Sequence, residues 1–91
     1  MATKKIQARI TVQQESAKMA EEALKNLAIP SREEEGCIRY IPRREGNILI
    51  VDEEWRDQEA LDRHMETPHF QAFVQATRSV WIGAPEIKDV K

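Results

Sequence analysis

A single cysteine, Cys37, in 91 residues leaves no pair for an internal disulfide. Charge of one sign is missing too. Fourteen basic residues against sixteen acidic ones give a formal charge of −2, so no one-sign field is present to attract nucleic acid or an anionic membrane. No stretch approaches the roughly 20 apolar residues that a membrane span requires, and the opening MATKKIQARI lacks the apolar run of a signal peptide. The sequence contains no GxGxxG, Walker loop, CxxC, HExxH or GxSxG, which removes motif support for nucleotide, structural-zinc and acyl-transfer readings. Repeats, linkers and low-complexity segments are also absent. The expectation is one cytoplasmic domain over residues 1–91 with a radius of gyration of roughly 12 Å. A chain of this length buries only about 60 to 70% of its unfolded surface, so association with a second copy is a natural supplement.

Aromatics are scarce at 5% of the chain, yet Glu53 to Phe73 holds one of the two Trp, both His and both Phe. Within this stretch Asp57 is placed to cap a short helix carrying Ala60, Leu61, His64 and Met65, with Glu59 and Arg63 paired four apart. Thr67 followed by Pro68 stops that helix and starts another. Phe70, Phe73, Val74, Thr77 and Trp81 then fall on one helical face. The two histidines lie either side of the junction.

Around this centre, Lys5 to Gln13 alternates strictly, with Ile6, Ala8, Ile10 and Val12 on one side, as a half-buried strand does. Glu15 to Leu27 switches to the helical period, with a stripe of Met19, Ala20, Ala23, Leu24 and Leu27. Pro30 interrupts it, and an interior Pro costs about 3 kcal/mol. The expectation is a kink, with Ser31 capping a new turn through Glu35 and Gly36 closing it. Arg32 to Glu35 reads as a solvated helix end. Cys37 to Ile41 is extended, and Pro42 marks a sheet edge or a strand end. Gly46 and Asn47 supply a turn. Ile48 to Val51 is a continuous apolar run, which needs cover on both faces. Helices can supply one cover and a second subunit the other. Pro85 to Val90 can form a last short strand. Strand, helix, strand, strand, helix pair, strand is the split βαβ order of the ferredoxin-like α+β class: one antiparallel sheet with helices on one face.

Gly36-Cys37, Arg39-Tyr40, the apolar strand into Glu53-Glu54-Trp55, Ala60-Leu61, His64, and Thr67-Pro68-His69-Phe70 with Phe73 resemble the antibiotic biosynthesis monooxygenase family. The opening ARITV strand and the PSREEEGC helix end fit as well, so the likeness spans nearly the whole chain. It implies a homodimeric α+β barrel, two ferredoxin-like subunits packed sheet against sheet, each with a pocket between sheet and helices. Members of the family oxidise aromatic quinols without metal or flavin, degrade haem, or act on a phosphorylated autoinducer. The haem-degrading branch would place an Asn, a Trp and a His where this chain has Ala8, His64 and Val74, so the resemblance carries no implication of haem degradation. The hairpin from Tyr40 to Ile48 is shorter than the family pattern.

The reading that follows is a monooxygenase acting on a quinol-like aromatic with dioxygen and no bound cofactor or metal. Oxygenation without a cofactor requires the substrate to become an electron-rich anion, and a His titrating near neutrality can take the proton. His64 is the candidate base. Tyr40 and His69 are candidates to orient substrate oxygens, with Trp55, Phe70 and Phe73 excluding water. The plainer readings stand beside these: His64 as a solvated helix-end residue, Trp55 as a packing or dimer contact, Phe70 and Phe73 as core, and Cys37 as a small buried residue. His64 and His69 are five apart across a helix break, poor spacing for two metal ligands on one helical face. Two other functions remain compatible with the residues: an isomerase or other proton-transfer enzyme on a small oxygenated metabolite, or a non-catalytic ligand-binding dimer.

Overall fold

The computed structural model describes residues 2–90. Eight residues of alternating character form β1 (Lys4–Thr11), and a 3-10 turn (Gln14–Ser16) leads into α1 (Ala17–Arg32). The hairpin β2 (Cys37–Glu45) and β3 (Ile48–Trp55) follows, turned at Gly46 with φ 60°. Then come α2 (Gln58–Met65), α3 (Pro68–Thr77), a second 3-10 turn (Arg78–Val80) and β4 (Glu86–Asp89). The sheet runs β2-β3-β1-β4, antiparallel throughout, which is the ferredoxin-like order. The Cα radius of gyration is 12.6 Å, and among the described residues no helix is long and apolar enough to cross a membrane.

Side-chain alternation divides β3 between two environments. Leu49, Val51 and Trp55 join Ile6, Leu24, Leu27, Leu61 and Phe73 in the core under the helices. Ile50 points the other way, where the register sets Arg9 and Arg43 on either side of it, and it is nonetheless fully buried. Gln7 and Arg43 both bond the Asp52 carboxylate on that face, at 2.9 and 3.2 Å. The chain therefore covers the middle of its outer face with its own long side chains, and a second copy is not needed to hide Ile50. Pro42 does lie on an edge strand, where its missing N–H leaves no gap in the ladder.

Two local expectations are corrected. No new helix begins at Ser31: α1 runs through Pro30 to Arg32. Pro30 stands in the last turn, where it removes one backbone bond, and the Ser31 hydroxyl donates to Leu27 O at 2.7 Å instead of capping. The buried face of α1 is Ala17, Ala20, Leu24, Leu27, Ala28 and Ser31, whereas Met19 is 46% exposed. A stripe rotated by part of a turn fits the same period.

The caps expected in the central stretch are present. Asp57 accepts from Ala60 N at 2.9 Å and Thr67 from Phe70 N at 3.2 Å, each relieving a free N–H of a first turn at about 1 kcal/mol. Glu59 pairs with Arg63 at 3.0 Å. α3 stops at Thr77, and Trp81 follows the second 3-10 turn, its indole N–H donating to Thr77 Oγ1 at 3.1 Å.

Candidate functional site

The site begins at a glycine. Gly36 adopts φ +93°, and a Cβ there would lie 2.7 Å from that of Ala60, so only a residue without a side chain lets α2 rest against the turn that follows α1. The Gly36 carbonyl also accepts from Arg56 N at 2.7 Å, fixing the entry to α2. This close approach brings Glu34, two residues before the glycine, to the histidines beyond it. One oxygen, Glu34 Oε2, lies 2.7 Å from His64 Nδ1 and 2.7 Å from His69 Nε2.

Sequence reasoning missed Glu34. The stretch Arg32 to Glu35 read as a solvated helix end, but the Glu34 side chain is only 12% exposed. A run of four charged residues gives no sign of which member turns inward. The available signal was Gly36 itself, as a point where a second element approaches the backbone.

His64 is 1% exposed, which excludes the solvated-helix-end reading. Its ring stacks at a tilt on Trp55, centroids 4.7 Å apart, and meets the edges of Tyr40 at 5.2 Å and Phe70 at 5.1 Å. Burial lowers its pKa from the ordinary 6.5, with Glu34 opposing the shift and the His69 ring reinforcing it, so the neutral imidazole is the resting form at neutral pH. A carboxylate only accepts, so the bond to Glu34 keeps the ring proton on Nδ1 and leaves Nε2 with a bare lone pair. Nε2 is buried and has no hydrogen-bond partner among the described residues.

His64 lines a cavity of about 130 Å³ together with Ala8, Phe70, Phe73, Val74 and Glu53, bordered toward the last strand by the exposed Pro85 and Ile87. The three positions at which the haem-degrading pattern fails, Ala8, His64 and Val74, thus share this one cavity. Phe70 and Phe73 stand in its wall as well as in the core. Tyr40, Trp55 and His69 are not on the cavity wall. Tyr40 is buried behind His64, where desolvation raises its phenol far above the usual range, with Glu53 adding to the shift and the Ser31 side chain opposing it. Trp55 is fully buried beneath His64 and donates to Glu53 Oε1 at 2.9 Å. His69 stands beside the site, bonded to Glu34 and with its ring 6.2 Å from that of His64. Cys37 is half-buried, its thiol pushed up to about 11 chiefly by desolvation, with Glu34 and Glu53 adding to it, and is no nucleophile at neutral pH.

Glu34, His64 and His69 offer three donor atoms of metal-binding type within 4.8 Å of one another. The contacts are those of a hydrogen-bonded relay, in which two ring N–H groups donate to one carboxylate oxygen at normal distance. The unpartnered nitrogen, Nε2, is the one turned away from Glu34.

A profile of the family described as antibiotic biosynthesis monooxygenase matches residues 5–76. A Bacillus subtilis protein, YcnE, provisionally named a monooxygenase, is 36% identical over 72 residues, covering 76% of each chain. An uncharacterized Synechocystis protein, sll1783, is 40% identical over 65 residues, 68% of this chain, and this match spans only 44% of that relative's length. Among solved structures, PA3566 from Pseudomonas aeruginosa superposes with a TM-score of 0.88 at 30% identity, covering 99% of this chain and 93% of that one. A conserved protein from Methanosarcina mazei gives 0.90 at 28% identity, with 100% and 93% covered. With its fold order, its buried His on α2 and a profile match over most of its length, the chain belongs to the antibiotic biosynthesis monooxygenase family.

Proposed function

We propose that the protein is a cofactor-independent monooxygenase that oxidises a quinol-like aromatic with dioxygen, and that it works as a homodimer. The observation that carries the reading is His64, whose side chain lines an apolar cavity with Nδ1 bonded to Glu34 and with Nε2 buried and without a hydrogen-bond partner among the described residues. Such a nitrogen is a base awaiting a proton. It takes one from a substrate hydroxyl, Glu34 stabilises the imidazolium that results, and the apolar wall of Phe70, Phe73 and Val74 reduces solvation of the substrate anion and makes it easier to oxidise. The stoichiometry is quinol plus O2 giving hydroxyquinone plus water, with one oxygen atom entering the ring and the other leaving as water.

Cavity size narrows the substrate. At about 130 Å³ the cavity is slightly smaller than the roughly 150 Å³ that takes up benzene, so a single ring is the upper limit of what it accepts without widening. The same small volume favours a second reading, a proton-transfer enzyme such as an isomerase, which would use His64 and Glu34 identically without oxygen.

Oxygen uptake with a panel of single-ring dihydroquinones tests the proposal. His64→Ala is expected to lower the rate by about 10² to 10⁴. Absence of uptake by the unaltered protein with every dihydroquinone sinks the oxygenase, and an unchanged rate in the variant removes His64 from the mechanism. Size-exclusion chromatography at micromolar concentration checks the dimer, which a stable monomer would contradict.

A further inference from the structure

Glu53 stands on β3, at the sheet wall of the same cavity that His64 faces from the helical wall. It is 7% exposed. Its position is unusual for a carboxylate, since no cation bonds it, although Lys5 of β1 and Arg39 of β2 line a second, polar pocket with it on the sheet. Across the sheet it opposes Ile6 on β1 and Tyr40 on β2. The titratable groups that feel it are Tyr40 and Cys37 from β2 and Glu34 from the turn after α1, none of them positive, with His64 of α2 across the cavity. Trp55 Nε1–H satisfies one oxygen, Oε1, at 2.9 Å, and Oε2 has no hydrogen-bond partner among the described residues. Holding an indole N–H needs only an amide or carbonyl oxygen, so packing alone does not call for an acid here.

Resting on the proposed oxygenase reading, we propose that Glu53 is the second proton-bearing group of the pocket: a neutral carboxylic acid whose free O–H donates to an oxygen of the bound ring while His64 takes a proton from another. Burial, opposed by the Trp55 bond and reinforced by Glu34, raises its pKa from 4.5 to about 7, which agrees with an acid that is protonated below neutrality and exchanges its proton close to it. In the reaction Glu53 lends its proton to the oxygen atom that departs as water and regains one from the second substrate hydroxyl. It ends unchanged, and no reductant beyond the quinol is consumed. Two buried groups, one kept deprotonated and one kept protonated by their surroundings, divide the base and acid roles.

The probe is pentafluorophenolate, a single ring that is ionised across neutral and alkaline pH, with binding followed by fluorine NMR. Its affinity for the unaltered protein is expected to fall about tenfold per pH unit above the Glu53 midpoint, as a second negative charge appears beside it. Glu53→Gln, which keeps the oxygen that Trp55 bonds, is expected to bind it with a flat profile over the same range. His64 titrates in both proteins and drops out of the comparison. Identical profiles, or no binding by either protein, overturn the role of Glu53. Infrared titration without ligand gives the independent check: a protonated-carboxyl band that disappears in Glu53→Gln supports the proposal, and its absence from the unaltered protein at about pH 6 overturns it. A sloping profile without oxygen uptake from any dihydroquinone overturns the oxygenase reading and leaves Glu53 as the acid of a proton-transfer enzyme. Uptake with a flat profile overturns Glu53 alone.

Discussion

Replacing Glu53 with Gln should make the protein more stable, and only above acidic pH. The Glu53 carboxyl rises from 4.5 in the unfolded chain to about 7 in the folded one. Between those values the folded state binds a proton that the unfolded state has lost, so folding stability falls as pH rises through this window and levels off above it. At 1.36 kcal/mol per pH unit the full loss is roughly 3 kcal/mol. A Gln side chain has nothing to ionise and does not incur it. Urea denaturation of both proteins at a series of pH values is the assay. With a slope of roughly 1 kcal/mol/M for a small domain, the variant's midpoint should exceed the unaltered protein's by about 2 to 3 M at pH 8 and by little near pH 4.5. His64 runs in the opposite sense. Its folded pKa is lowered, so its contribution is present above the unfolded value and is lost on acidification, but both proteins carry it and the difference curve removes it. A difference that stays constant across the window would refute the argument, because it would mean that the buried acid ionises in the folded chain as freely as in water.

Glu34→Gln leaves the cavity intact but takes away the carboxylate that fixes the His64 tautomer and supports the imidazolium. The rate with dihydroquinones should fall by about 10 to 10³, and the acid limb of the pH–rate profile should move to lower pH, since Glu34 is what holds the His64 pKa up. Gly36→Ala forces a Cβ to within 2.7 Å of Ala60 at φ +93°. A loss of about 1 to 3 kcal/mol in chemical denaturation is expected, together with reduced turnover, because α2 carries His64 away from Glu34.

The order of elements, both caps of the central stretch and the inward placement of Phe73 followed from local chemistry alone, since alternation, helical period and Thr-Pro junctions act over a few residues. The α1 stripe was legible in period but not in phase. Met19 and Ala17 both suit a helix, and only the sheet beneath decides which of them is covered. Pro30 was misjudged because its cost depends on distance from the helix end, which rests on tertiary contacts. The apolar Ile48 to Val51 run looked as if it required a partner copy, but cross-strand neighbours from β1 and β2 bury Ile50 within one chain.

Sequence by itself determined the ferredoxin-like order, the family and the candidacy of His64, because periodicity, capping residues and short motifs are written in adjacent positions. What the histidine can do was decided by the tertiary structure. Glu34 lies 30 residues from His64 along the chain, and Glu53 looks like any acidic strand residue until it is found without a cation in an apolar cavity. Proton affinities depend on burial and on neighbours in space, and neither exists until the chain has folded.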